Sequence, residues 1–578
     1  MAETRQTNPA EIAAQKALDE MYECIRARQN FRMEAGAGAG KTYSLVEALR
    51  LIIDEQGATL LRKSQKVACI SYTNVATNEI VSRTDGHPAV HASTIHSFCW
   101  ELIKSFQPIL REEVSRIERW SDKLEEAGGV GTRTIDYDLG YRRVNETHLF
   151  LHHDDVLTLA VELMEQQKFR RILTARFPIL FVDEYQDTNA NVGNSIVRHF
   201  VASRVGPLIG LFGDSWQKIY GDGIGLIEHE NLRHIGKEAN FRSVKEVVEV
   251  LNRMRPDLPQ KVKDPDATGS VTVYHSNKWV GQRLGGNHWA GDLPAEVSHA
   301  YLEQLRRRLS DSGWDVEPQT TKILMLTHNV LAAEQKYATI ASAFRYADSF
   351  IKKEDPHIAF LVDTVEPASL AFQNGRYGEM FATIGIRSDC IQSLADKHTW
   401  ARDMRSLSEL RETGTIGEVL DLLKQTCRPK LPDTVRRTET ELANASPEDI
   451  EDSLTLSQIS KLRDIRYTEL ISLALFVNDH TPFSTKHGVK GAEFENVVVV
   501  LGRGWNRYNW DQFLNWFANG FPASKADSYE RNRNLFYVTC SRPKKRLALL
   551  FTQELSGTSL GTLCAWFGEE NVIPFVLD

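Results

Sequence analysis

Apolar strand-like runs alternate with helical patterns in two blocks, residues 30–242 and 269–550. This order predicts an α/β protein with two parallel-sheet cores, each covered by helices and each interrupted by a mainly helical insertion. In the first block the candidate strands are FRMEA from Phe31, KVACISYT from Lys66, PILFVDE from Pro178 and PLIGLFGD from Pro207. In the second they are SVTVYH from Ser270, KILMLTH from Lys322, VVVVLG from Val497 and RLALLF from Arg546. The charged helical stretches from Cys99 to Arg171 and from Leu331 to Asp479 read as the insertions. Between Pro256 and Trp289, clustered Pro, Gly and Asn residues read as loop.

A chain of 578 residues exceeds what one hydrophobic core sustains, so several domains are expected. With 42% hydrophobic and 25% charged residues, it has the balance of an ordinary globular protein. The start, MAETRQTNPAEIAAQ, lacks the pattern of a secretory signal. No apolar run approaches the ~20 residues that a bilayer-spanning helix needs. The expectation is a soluble, cytoplasmic protein with no membrane partner. Seven cysteines without a CxxC pair argue against a zinc site, an iron–sulfur cluster or a disulfide framework. A net charge of -8 excludes a uniformly basic nucleic-acid coat, but is compatible with a local positive cleft.

The strongest local signal is AGAGAGKT, comprising Ala35, Gly36, Ala37, Gly38, Ala39, Gly40, Lys41 and Thr42, set between a strand and the helical pattern YSLVEALRLII. A small-residue turn entering a helix presents backbone N–H groups and the positive end of the helix dipole to a phosphate. In that pattern Lys41 reaches the β- and γ-phosphates of ATP, and the Thr42 hydroxyl ligates Mg²⁺. The strict pattern has Gly where Ala35 stands. The second signal is ILFVDEYQDT, an apolar strand that ends in two carboxylates. Parallel sheets deliver functional groups from such strand ends. Here Asp183 suits the Mg²⁺ and Glu184 suits a base that orients the attacking water.

DEYQDT resembles the DExQDT signature of the UvrD, Rep and PcrA helicases of superfamily 1, and further motifs follow in that family's order. Gln15, in Ala13-Ala14-Gln15, resembles the Q motif that reads adenine. Tyr72, Thr73 and Asn74 resemble the FTN motif, and Thr94 and His96 resemble the TxHxF motif; both imply contacts to single-stranded DNA. GDSWQKIYG from Gly213 implies Gln217 as a γ-phosphate sensor and Tyr220 as a base-stacking aromatic. Asn240-Phe241-Arg242-Ser243 resembles NYRS, with Phe241 over adenine and Arg242 as an arginine finger. HGVKGAEF from His487 to Phe494 resembles HxxKGLEF, which implies His487 near DNA and Glu493 at the nucleotide. FYVTCSR resembles YVxxTR, with Arg542 as the second finger. The resemblance implies RecA-like cores at residues 1–98 with 172–238 and at 239–335 with 478–578, interrupted by insertions at 99–171 and 336–477.

The family's IYGWRGA is replaced here by Ile219-Tyr220-Gly221-Asp222-Gly223, which removes a base-stacking tryptophan and an arginine that links the DNA track to the nucleotide. Two functions follow from the resemblance. One is an ATP-driven translocase on single-stranded or partly duplex DNA, moving 3′ to 5′ as its relatives do. The other is a nucleotide-gated DNA sensor that acts through a partner. Size and architecture also resemble the helicase-like subunit of antiphage systems such as Gabija, which implies a nuclease partner.

Overall fold

The computed structural model describes every residue except 1–7, 139–141, 220, 287–288, 326–330, 333, 347, 386–390, 479–480, 482, 486–491 and 504–507. Internal contacts divide the chain into two compact units. The first comprises Met1–Val273, Asp511–Leu547 and Ser556–Val572; the second comprises Tyr274–Trp510, Ala548–Leu555 and Ile573–Asp578.

The first unit opens with α1 (Pro9–Arg26), whose N-terminal Asn8 accepts a hydrogen bond from the Glu11 amide, with Pro9 at the first helical position. There follow β1 (Phe31–Ala35), α2 (Lys41–Arg62), β2 (Val67–Ser71), α3 (Asn74–Arg83), β3 (Val90–Thr94) and α4 (Ile95–Ile103). The first insertion holds α5 (Gln107–Val114), α6 (Ser121–Glu126), β4 (Thr134–Asp136), β5 (Arg143–Val144), β6 (His148–Phe150), α7 (His153–Met164) and α8 (Gln167–Arg176). Its three short strands form a small sheet of their own within a mainly helical insertion. The chain then returns through β7 (Ile179–Asp183), α9 (Ala190–Ile196), β8 (Leu208–Gly213), β9 (Arg233–Lys237), β10 (Ala239–Asn240), α10 (Lys245–Met254) and β11 (Lys261–Val262).

The main sheet has the order β3-β2-β7-β8-β1-β9, and every neighbouring pair is parallel. All six strands therefore end on one edge. The four inner strands are buried along their whole length; β2, β7 and β8 read as nearly continuous apolar runs, whereas β1 carries Arg32 and Glu34. β3 and β9 are the two edge strands. Their sequences, VHAST and RHIGK, carry no such run because neither is fully buried. Inside the sheet, the rings of Phe31, Phe181 and Phe212 pack edge to face with centroids 5.4–6.0 Å apart.

A second six-stranded sheet is formed by β12 (Ser270–His275), β13 (Thr321–Met325), β14 (Phe483–Thr485), β15 (Phe494–Leu501), β16 (Pro543–Phe551) and β17 (Val572–Pro574). Its order is β14-β13-β15-β16-β12-β17, and β13 runs parallel to both β14 and β15. Within the second unit one core runs from Ile323, Val498 and Val500 in the sheet to Leu407, Leu423, Leu462 and Leu473 in the helical insertion. The molecule is thus α/β, with RecA-like parallel sheets and helical insertions.

One ion pair is sealed within the second insertion. Arg411 Nε and Nη2 donate to the two Glu366 carboxylate oxygens at 2.7 and 2.6 Å, and both side chains are about 5% exposed. Removing one partner leaves a buried uncompensated charge, which typically costs about 3–5 kcal/mol. Arg411→Met is accordingly expected to lower the urea midpoint of unfolding, followed by tryptophan fluorescence. Adding Glu366→Gln should restore part of the loss; an unchanged midpoint in Arg411→Met would count against this pair as a determinant of stability.

Candidate nucleotide site and nucleic-acid face

The loop after β1 turns into α2 through two glycines in the left-handed region, Gly38 and Gly40, both at φ 74°. Only Gly38 is closely crowded: a Cβ there would lie 2.8 Å from both Arg242 Cβ and Asn240 Oδ1. The loop is tied back on that side. Asn240 Nδ2 and Gln260 Nε2 donate to the Ala37 carbonyl at 3.1 and 3.0 Å, and the Phe241 amide donates to the Gly38 carbonyl at 2.9 Å. With its carbonyls engaged there, the loop can offer N–H groups to an anion at the start of α2.

Lys41, the first residue of α2, places Nζ 3.7 Å from Glu184 Oε1. Asp183 ends β7, and Glu184 follows in the left-handed region at φ 48°, a strained conformation for a residue with a side chain. Asp183 Oδ1 accepts from the Glu184 amide at 3.0 Å, and Gln186 Nε2 donates to Glu184 Oε2 at 2.6 Å. Between β7 and β1 lies β8, whose end carries Asp214. Gln217 Nε2 donates to Asp214 Oδ2 at 2.7 Å, while Arg542 Nη2 donates to Gln217 Oε1 at 3.3 Å.

Arg542 is only 1% exposed, and burial pushes its pKa down to about 9, with the Arg242 charge acting in the same direction. Arg242 Nη1 donates to the Ser541 carbonyl at 3.0 Å and Ser243 Oγ to the Pro543 carbonyl at 2.7 Å, so the two arginine-bearing segments lie side by side. Lys41, Asp183, Glu184, Gln217, Arg242 and Arg542 all belong to the first unit. The hydroxyl of half-buried Thr42 and the carboxylate of Asp183 are hard oxygen donors of the kind Mg²⁺ takes. Among the described residues no group of three His, Cys, Asp or Glu is placed to hold a metal ion.

Four residues of this region escaped the sequence reading: Glu34, Arg255, Gln260 and Lys237. Glu34 Oε1 accepts from the Ser215 amide and hydroxyl at 2.7 and 2.6 Å and from Arg255 Nη2 at 3.1 Å, and Oε2 accepts from the Tyr185 hydroxyl at 2.8 Å. Arg255 also donates to Asp214 Oδ1 at 2.5 Å. Burial raises the Glu34 pKa, but the Ser215 hydrogen bonds and the Arg255 charge outweigh it and hold the carboxyl below its ordinary value. A glutamate inside the buried strand FRMEA was the available signal.

Beside the loop, a cavity of about 1080 Å³ is lined by Gln15, Gly40, Tyr43, Lys237 and Phe241, among others. Tyr43 and Phe241 are 49% and 37% exposed, leaving ring surface for a planar base. Gln15 Nε2 donates to Asp19 Oδ1 at 2.8 Å. Glu493 is exposed beside β15 and belongs to the second unit.

The residues of the candidate strand track lie at the ends of β2 and β3. Tyr72 follows β2 and is 43% exposed; Thr73 caps α3, accepting from the Ala76 amide at 3.2 Å, and Asn74 begins that helix. Thr94 caps α4 through the Ser97 amide at 3.4 Å. His96 lies with its ring 5.3 Å from that of His153 in the insertion; burial, then His153, pushes its pKa down. Tyr220 and His487 lie outside the described residues.

Gly38→Ala adds a side chain where the left-handed backbone disfavours one by about 1–2 kcal/mol and where no room exists. A loss of at least about ten-fold in ADP affinity by calorimetry, with an unaltered circular dichroism spectrum, is the expected outcome. Wild-type affinity in the variant would show that the loop need not hold this conformation.

A family model described as an AAA domain matches residues 19–222. The chain is 22% identical to Gabija protein GajB of Bacillus cereus, across 97% of this chain and 98% of that protein. It is 24% identical to ATP-dependent DNA helicase PcrA of Staphylococcus aureus across 38% of this chain and 37% of that protein. The corresponding match to PcrA of Staphylococcus epidermidis is 23%, across 41% and 39%. The chain is therefore UvrD/PcrA-like in its motifs and its α/β cores, and similar to Gabija protein GajB along nearly its whole length.

Proposed function

We propose that this helicase-like protein hydrolyses ATP with Mg²⁺ and couples the reaction to movement along single-stranded DNA in the 3′ to 5′ direction. The observation that carries this reading is the convergence of Lys41, Asp183, Glu184, Gln217, Arg242 and Arg542 at one end of the first sheet and its neighbouring segments. In this reading the loop Ala35–Thr42 binds the phosphates and Lys41 neutralises the β- and γ-oxygens. Thr42 and Asp183 would hold Mg²⁺, which would neutralise phosphate charge when bound. Glu184 orients the attacking water and accepts its proton. Gln217 senses the γ-phosphate, and Arg242 and Arg542 stabilise charge on the transferring group, an effect typically worth ~10³ to 10⁵ in rate.

Gln15 and Phe241 hold the adenine, and Glu493 is assigned to the nucleotide by the motif that it matches. Tyr72 and Tyr220 stack on bases, while Thr73, Asn74, Thr94, His96 and His487 hold the strand; stacking contributes about 1–3 kcal/mol per base and is indifferent to sequence. The domain division given from the family motifs accompanies this proposal.

A second reading is favoured by one observation, that the match to GajB spans nearly both chains whereas the match to PcrA covers 37% of that protein. In it the chain is the nucleotide-gated, DNA-sensing component of a cytoplasmic Gabija-type antiphage complex and acts through a nuclease partner, with little unwinding of its own.

Steady-state ATP hydrolysis with and without single-stranded DNA, with Lys41→Ala as the contamination control, separates the readings. Strong stimulation by DNA supports the translocase, and indifference to DNA supports the partner-dependent sensor. Glu184→Gln is expected to bind ATP but to turn over at least ~10²-fold more slowly. Substantial hydrolysis by that variant would mean that another group activates the water.

A further inference from the structure

Lys237 ends β9 and stands in register beside Ala35, the first residue of the phosphate loop. Its side chain is fully buried. The ammonium donates to the Gly40 carbonyl at 3.0 Å and to Ser44 Oγ at 2.7 Å, and lies 5.6 Å from the Tyr43 ring centroid. Gly40 caps α2 and Ser44 lies in its first turn, so Lys237 braces the segment that carries Lys41 and Thr42. Both groups it bonds are neutral. A buried cation bonded only to neutral groups, at the positive end of a helix, raises the local potential in a way that favours an anion. Lys237 is also among the residues that line the cavity beside the loop.

We propose that Lys237 is a positioning residue of the nucleotide site, bracing the exit of the phosphate loop and supplying a buried cation whose counter-charge is the nucleotide phosphate. This rests on the ATP-binding reading above. Other ionisable groups lining the cavity are Glu11, Lys16, Asp19, Glu20 and Glu23 on α1 and Tyr43 on α2. Lys41, the first residue of α2, is a further cation beside the loop, and Glu238 follows Lys237 in the chain.

Burial pushes the Lys237 ammonium down to about 8 in the free protein. An anion beside it favours the protonated form and raises that value. Nucleotide affinity is then fully developed below pH 8 and falls as the pH rises through it, and binding above pH 8 takes up a proton at Lys237.

The test is calorimetric titration of the full chain with Mg·ADP at pH 7 and 9, together with wild-type titrations at pH 8.5 in two buffers of different ionisation heat. Wild-type affinity should drop about ten-fold between pH 7 and 9, with about three-quarters of a proton taken up per ADP at pH 8.5. Lys237→Met should bind more weakly at pH 7 and show no such drop. Lys237→Arg, which does not titrate in this range, should keep its affinity at pH 9. A Lys237→Met protein with wild-type affinity, or a parallel pH dependence in all three proteins, overturns the proposal. Absence of proton uptake by the wild type overturns it without recourse to any variant. If the wild type binds no ADP at either pH, the ATP-binding reading itself fails, and this proposal fails with it.

Discussion

Glu34 sits in a wholly buried strand one residue before the phosphate loop, where an ionised carboxylate survives only if donors surround it. Those donors come from three other elements. Ser215 begins the turn after β8 that also carries Gln217; Tyr185 lies in the turn after β7, directly beyond Glu184; Arg255 follows α10 and reaches Asp214 as well as Glu34. One charge therefore fixes the mutual positions of the strand ends on which the candidate chemistry rests. The need to satisfy it ties the turn after Glu184, the turn that carries Gln217 and the strand that enters the glycine-rich loop to one another.

The same corner explains why the arginines belong to the first unit. Asn240, Phe241 and Gln260 press on the back of the phosphate loop, and Arg242 and Ser243 hold the Ser541–Pro543 segment. Arg542, nearly excluded from water, then reaches Gln217. An arginine whose pKa is lowered by burial is a desolvated charge, and a desolvated charge acts on a neighbouring anion more strongly than one in water.

Much of this was legible in the sequence where burial leaves a pattern. The inner strands β2, β7 and β8 are nearly continuous apolar runs, and the glycine-rich loop and the acid pair stand at the ends of β1 and β7, where parallel sheets deliver functional groups. The edge strands β3 and β9 were missed because half-exposed residues leave no run, and the small sheet β4–β6 because strands of two or three residues are too short for a period. Glu34, Lys237, Arg255 and Gln260 were missed for a different reason. Each matters through what it meets across the fold, and a lone charged or amide residue carries no spacing from which such a partner can be inferred. Lys237 in particular, in RHIGKEAN, has the sequence of a solvated turn and the surroundings of a core residue.

The first unit is not continuous in the chain. It takes in residues 1–273 and is completed only by Asp511–Leu547 and Ser556–Val572. A ribosome therefore makes the phosphate loop, the acid pair and Gln217 more than two hundred residues before it makes Arg542. During that interval the nascent chain carries the loop, the acid pair and Gln217 without Arg542, and the contact between Arg542 and Gln217 is among the most distant in the sequence, the kind that forms slowly. The order of synthesis thus places Arg542 last among the residues gathered there.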